Sequence, residues 1–169
     1  MTPLVVIVGP PGSGKSTVGR LVADNRGVGF RDTDEDIEAA AGKTVSDIFI
    51  EDGEPRFREL EAAAVGVALR EHDGVLALGG GAVTSADVRA QLQGHRVVFL
   101  DVGLAAASER VGFAQSRPLL VVNPRAELKR LMTERRPLYD EVATATVATD
   151  GRSPEDVAAE ILALLEDTA

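Results

Sequence analysis

Short unbroken apolar runs alternate along this chain with longer stretches in which apolar residues recur at helical spacing. Leu4-Val5-Val6-Ile7-Val8, Val75-Leu76-Ala77-Leu78 and Arg96-Val97-Val98-Phe99-Leu100-Asp101 are β-branched-rich and four to six residues long. That is the pattern of strands buried on both faces, as in a parallel sheet. A short strand over Gly29–Arg31 ends at Asp32, and Thr144–Thr149 alternates as a further strand. Helices are expected at Lys15–Arg26, Asp34–Ala41, Arg56–His72, Ala86–Gln93, Leu104–Val111 and Arg125–Tyr139, the last interrupted near Pro137. Gly42 stops the second of these. Thr44 with Asp47 resembles a capping box and starts a short helix through Ile48 and Phe49. Pro55 suits the first turn of its helix, and Ser153-Pro154-Glu155-Asp156 is a strong helix start. Val157, Ile161, Leu164 and Leu165 then form one apolar face.

This alternation predicts an α/β fold, a doubly wound parallel sheet of about five strands with helices on both faces. Residues 1–169 are read as a single domain. Right-handed crossovers bring the loops that follow the strands to one edge of such a sheet. The loops after Val8, Arg31 and Leu78 therefore belong together. Gly112–Pro124 carries two prolines and little periodicity and is read as a loop.

Composition narrows the function. A formal charge of -9 argues against nucleic-acid binding as the main task, so an anionic ligand must be gripped by local cations. Of the 18 basic residues only Lys15, Lys43 and Lys129 are lysines. Arginine offers a rigid fork that matches carboxylates and phosphates. With no cysteine, disulfides, thiolate nucleophiles and Cys-ligated zinc are excluded. The apolar run Leu4–Val8 passes straight into a glycine-rich turn without a cleavage region, and no run approaches the ~20 residues of a membrane span. The expectation is a cytoplasmic protein with no membrane or nucleic-acid partner.

Gly9-Pro10-Pro11-Gly12-Ser13-Gly14-Lys15-Ser16 satisfies the phosphate-binding P-loop pattern after a buried strand and before a helix. The glycines let successive N–H groups face one centre, and the helix points its positive end there. Gly12, Ser13, Gly14, Lys15, Ser16 and Thr17 are thus the candidate ATP phosphate ligands. Lys15 would reach the β- and γ-phosphates, and the Ser16 hydroxyl could ligate Mg²⁺. Asp32, at the end of the next strand, could hold Mg²⁺ through water or be a surface turn residue. Pro10-Pro11 stiffens the loop and removes an N–H.

A guanine-reading Asn-Lys-x-Asp run is absent, which argues against a GTPase. Asp24-Asn25-Arg26-Gly27 sits at a helix end and not after a strand. The chain is short for a motor ATPase with its accessory domain. A compact kinase remains.

Further motifs resemble those of shikimate kinases. Asp32-Thr33-Asp34 looks like that family's Asp-x-Asp motif. Gly53-Glu54-Pro55-Arg56-Phe57-Arg58 followed by Glu61 is similar to its Gly-Glu-x-x-Phe-Arg-x-x-Glu element. Gly79-Gly80-Gly81 matches its glycine turn, Arg117-Pro118-Leu119 its lid motif, and Arg135-Arg136-Pro137-Leu138-Tyr139 its Arg-x-Pro-x-Tyr element. They occur in family order.

The resemblance implies ATP- and Mg²⁺-dependent phosphorylation of the 3-hydroxyl of shikimate, within aromatic amino acid biosynthesis. It assigns Lys15, Asp34 and Arg117 to catalysis, Arg117 through a lid loop over residues 112–124. Asp34, Arg58, Glu61, Gly79, Gly80, Gly81 and Arg135 are assigned to shikimate, with residues 33–62 as the acceptor-binding segment. Arg110, Arg152 and Pro154 are similar to positions that sandwich adenine, and a monomer is favoured. Glu61, three residues from Arg58 on a helix, can orient it; taken alone the two read as a surface ion pair, and the motif context reverses that reading. Gly79–Gly81 could be a plain turn, and Arg135 and Arg136 helix-end charges. His72 and His95 lie at element ends and are read as solvated. A gluconate-type or nucleoside-monophosphate kinase would share Lys15 and Ser16 but lack the combined Asp34, Arg58 and Arg135. A catalytically silent nucleotide-binding module would not need Lys15, Asp34 and Arg117 together.

Overall fold

The computed structural model describes residues 2–114 and 124–167. Its centre is a five-stranded parallel sheet of order β2-β3-β1-β4-β5, built from β1 (Val5–Val8), β2 (Phe30–Asp32), β3 (Val75–Ala77), β4 (Val97–Asp101) and β5 (Ala145–Ala148). The helices are α1 (Lys15–Arg26), α2 (Thr33–Ala41), α3 (Val45–Asp52), α4 (Glu54–Glu71), α5 (Ala86–Gln91), α6 (Leu104–Ala114), α7 (Pro124–Val142) and α8 (Pro154–Asp167).

The two-residue period of the strands sorts the core into two layers. Val5, Ile7, Val75, Val98, Leu100 and Val147 face α1 and α8, where Val18, Val22, Val157, Ile161 and Leu165 meet them. Val6, Val8, Leu76, Val97 and Phe99 face the other way, against Val65 and Leu69 of α4, Val88 of α5 and Tyr139 of α7. Both faces are therefore covered by helices, as the unbroken apolar strand runs require. A separate cluster of Ile37, Val45, Ile48 and Phe57 joins α2, α3 and α4.

All strands run parallel, and the order in which successive strands are added reverses about β1, which lies between β3 and β4, so the loops after β1, β2 and β3 open toward one crevice. Register reinforces this. Asp32 stands opposite Ala77, which places the carboxyl end of β2 beside the glycine turn that follows β3.

Several expectations need correction. Residues 112–114 continue α6 and are not loop; residues 115–123, including Arg117, lie outside the described residues. Helix α7 runs through Pro137 to Val142 without interruption. The missing Pro137 N–H costs one ladder bond, but the next turn is pinned by the buried Tyr139. Neither histidine is fully solvated: His72 and His95 are half-buried, and His72 Nε2 bonds to the Val75 carbonyl at 3.0 Å. A 3-10 turn over Ala82–Thr84 also separates the glycine turn from α5.

Candidate active site

Two residues with positive φ shape the loop after β1. Gly12 has φ 81° and Gly14, the N-cap of α1, φ 90°, conformations that a side chain would strain. Without a side-chain cap at Gly14, the first-turn amides of α1 are not consumed by the protein's own N-cap. The Lys15 ammonium lies back across the loop, donating to the carbonyls of Gly9 at 2.8 Å and Pro10 at 3.1 Å. It is thus held over the anion-facing concavity. Ser13 Oγ is buried and has no hydrogen-bond partner among the described residues. Pro10 contributes its carbonyl instead of the lost N–H, accepting from Ser13 N as well.

Ser16 Oγ donates to Asp32 Oδ2 at 3.1 Å, and Asp34 N donates to Asp32 Oδ1 at 2.9 Å. Asp32 is therefore the N-cap of α2 and the partner of the P-loop serine. Hard oxygen donors of this kind suit Mg²⁺, which keeps most of its waters and leans on substrate phosphates. Among the described residues no group of three or more His, Cys, Asp or Glu could hold a metal alone.

Burial lifts the Asp32 carboxyl above its ordinary value near 3.8, and the neighbouring Asp34 charge adds to this; the Asp34 amide, Ser16 and Lys15 act the other way. An acid whose pKa is raised on folding costs stability once it ionises. The cost is absent below the unfolded value and grows as pH rises through the folded one. Asp32→Asn keeps the cap on α2. In metal-free buffer it is expected to raise Tm by about 2–4 °C near neutral pH, with the gain vanishing in acid. Thermal unfolding followed from acid to neutral pH checks the sign.

On the other side of the crevice, three elements converge on Gly79–Gly81. From α4, Arg58 Nη1 donates to Glu61 Oε1 at 2.7 Å and Nη2 to Glu54 at 3.2 Å. Glu61 is 1% exposed, so this is no surface ion pair. The Arg58 guanidinium also lies 5.3 Å from the Phe57 ring and 5.9 Å from the Phe49 ring, two aromatics that pack 4.6 Å apart. It is held on three sides.

From α7 comes Arg135, 6% exposed. Burial pushes its pKa down, as does the like charge of Arg58, while Tyr139 and Glu61 oppose the shift. Arg136 points elsewhere: it is half-exposed and pairs with Asp101 at 2.9 Å over the Phe99 ring. From α2, Asp34 reaches over the turn. A Cβ placed on Gly79 would stand 2.6 Å from Asp34 Oδ1 and 2.9 Å from Glu61 Oε2; one on Gly80 would meet the Pro11 ring at 3.0 Å; one on Gly81 would strike the Arg58 guanidinium. None of these three glycines has positive φ. The turn is glycine because four neighbouring side chains crowd against its backbone.

Behind the P-loop, a cavity of ≈ 310 Å³ is lined by Gly14, Thr17, Arg110, Thr149, Arg152 and Pro154, among others. Arg110 Nη1 donates to Gly12 O at 2.8 Å. Arg152 is fixed by Glu160 at 2.7 Å and the Ala148 carbonyl at 2.9 Å. The three residues expected around a base thus line one hollow.

Four contributors went unassigned in the sequence. Thr33, Phe49, Pro11 and Tyr139 all touch the glycine turn or Arg58. Tyr139 and Thr33 sit inside quoted motifs, so their positions were visible but their contacts were not.

Residues 11–166 match the sequence profile of the shikimate kinase family. The shikimate kinase of Salinispora arenicola is 59% identical over 165 residues, covering 98% of this chain and 99% of that protein. That of Salinispora tropica is 60% identical over the same length, with 98% and 99% covered. Among solved structures, shikimate kinase from Acinetobacter baumannii in complex with shikimate superposes with a TM-score of 0.94 at 38% identity, covering 99% of this chain and 94% of that one.

Proposed function

Since this chain belongs to the shikimate kinase family, we propose that its P-loop holds ATP while Arg58, Arg135 and Asp34 hold shikimate across the Gly79–Gly81 turn. The enzyme is an ATP-dependent kinase that transfers the γ-phosphoryl group to the 3-hydroxyl of shikimate, giving shikimate 3-phosphate and ADP. What supports the residue assignment is the convergence of two arginines from different helices on one side of a glycine turn that also touches Pro11 of the P-loop.

Charge selects the acceptor. Glu61 offsets Arg58, which leaves Arg135 as a buried cation whose charged form is already penalised. A carboxylate seated between the two guanidinium forks offsets that penalty and adds charge-assisted hydrogen bonds. Shikimate brings one such carboxylate and three ring hydroxyls. Asp34 accepts from the ring hydroxyls and orients the attacking one. Phosphoryl transfer passes through a loose transition state, so the proton can leave late and a strong base is not needed. The attacking oxygen forms its bond to the γ-phosphorus as the bond to the bridging oxygen of ADP breaks. Lys15 offsets the charge on the transferring group. Mg²⁺, when bound by Ser16 and the Asp32 side, supplies further neutralisation of the phosphates. Gly12, Ser13, Gly14 and Thr17 contribute loop and helix N-terminal contacts, and Arg110, Arg152 and Pro154 enclose the adenine. Arg117, in the segment 115–123 between α6 and α7, is assigned to a closing lid on the strength of the Arg117-Pro118-Leu119 motif. Residues 33–62 form the acceptor-binding segment. The same reading has the enzyme working as a cytoplasmic monomer, each side chain of the site coming from one chain. No helix among the described residues is long and apolar enough to cross a membrane.

ADP release measured with ATP, Mg²⁺ and a panel of shikimate, gluconate and nucleoside monophosphates tests the acceptor site. Strong turnover with shikimate alone is expected. Arg58→Lys replaces the fork by a point charge and should raise the KM for shikimate about tenfold, corresponding to the lower end of a charged hydrogen bond's worth. An unchanged KM would move the carboxylate elsewhere.

A further inference from the structure

We infer that Tyr139 is a positioning residue of the acceptor site, acting with Thr33 to fix the height of the Gly79–Gly81 turn. The two side chains come from different helices and bond successive backbone groups of the turn. Thr33 Oγ1, fully buried at the start of α2, accepts from Gly79 N at 3.3 Å. The Tyr139 hydroxyl, buried on α7, donates to Gly80 O at 2.5 Å. The Tyr139 ring is itself fixed by stacking on Phe99 of β4, with centroids 4.9 Å apart and planes inclined by 20°. Arg135 stands one helical turn away on α7, near enough for Tyr139 to oppose the burial that lowers its pKa. A single phenol thus ties the sheet to the glycine turn beside one of the two arginines.

The height of this turn matters because nothing about it is slack. None of the three positions has room for a Cβ: Asp34 and Glu61 would meet it at Gly79, Pro11 at Gly80 and Arg58 at Gly81. A turn released from Tyr139 would rise or fall against these groups and carry Arg58 and Asp34 off their places. A 1 Å error in the placement of a binding group is costly in rate. Being buried, the hydroxyl has no solvent to take over its bond to the Gly80 carbonyl. Burial also pushes the Tyr139 pKa up to about 12, so the group remains a donor across the working pH range.

This inference rests on the reading of Arg58 and Arg135 as carboxylate ligands, and the test separates the two. Tyr139→Phe keeps the ring on Phe99 and removes only the hydroxyl. Its KM for shikimate should rise about five- to twentyfold, with kcat falling less and the dissociation constant for ADP changing less than about twofold. Thr33→Val should show the same split, and Thr33→Ser, which restores the acceptor, should recover most of it. Arg58→Lys is measured in parallel. If Arg58→Lys raises the shikimate KM and Tyr139→Phe lowers only Tm, or raises shikimate and ADP constants alike, the positioning role is wrong and the carboxylate site stands. If Arg58→Lys also leaves the shikimate KM unchanged, the carboxylate reading fails and the positioning role falls with it.

Discussion

Lys15→Met is expected to lower kcat by about 10³-fold while leaving the fold intact. The ammonium is the one lysine of the P-loop, and in the structure it donates to the Gly9 and Pro10 carbonyls across the loop. Methionine keeps an unbranched stem as far as Cε and removes the charge and all three donors. In a water-excluded site those donors act where negative charge spreads over the transferring phosphoryl group, so their loss falls on the transition state more than on ground-state binding. The loop itself is shaped by the positive-φ glycines and by backbone bonds such as Ser13 N to Pro10 O, which the substitution leaves in place. Single-turnover kinetics, with Tm as the control, separates the two effects. A kcat within about tenfold of wild type would remove Lys15 from the chemistry.

Gly79→Ala carries the second large effect, on the acceptor side. The added methyl would stand 2.6 Å from Asp34 Oδ1 and 2.9 Å from Glu61 Oε2. Neither carboxylate can retreat cheaply. Asp34 has a short side chain on the first turn of α2, and Glu61 is buried and tied to Arg58 at 2.7 Å. Overpacking of this kind costs about 1–3 kcal/mol, and here the displaced groups are the ones proposed to orient the attacking hydroxyl and Arg58. The expected result is a fall in kcat/KM for shikimate of about 10²-fold, corresponding to nearly 3 kcal/mol of transition-state stabilisation, with a smaller loss of Tm. Wild-type kcat/KM in Gly79→Ala would mean that the turn yields and that the contact does not govern the acceptor site.

Local and contiguous signals were the readable ones. The central strands were legible because a strand covered on both faces cannot carry polar residues without leaving them unpaired, and Val5–Val8 and Val97–Leu100 carry none. The P-loop was legible because eight neighbouring residues make the whole phosphate cradle. Helix starts at Thr44 and Ser153 were legible because a cap acts within one turn, and both hydroxyls accept from the expected N3 amides. Elsewhere local rules misled. Pro137 predicted a break in α7, but tertiary burial of Tyr139 outweighs one missing hydrogen bond. Gly112 predicted a loop where α6 continues for another turn.

The acceptor site was legible only as a set of separated motifs. Resemblance proposed Arg58, Glu61, Gly79–Gly81 and Arg135 as its members, and the fold supplies the reason each is there. Arg135 and Arg136 are neighbours of equal charge. Only the packing of α7 turns the first inward beside Arg58 and sends the second out to Asp101. Glu61 reads as a surface partner until α4 packs on the sheet and buries it. By itself, then, the sequence determined the parallel α/β architecture and the phosphate-binding loop, since each is written within a few consecutive residues. The tertiary structure decided which arginine enters the site, why three glycines lie beneath it, and that Thr33 and Tyr139 hold them. Those contacts join residues 46 and 59 positions apart, a separation no local pattern spans.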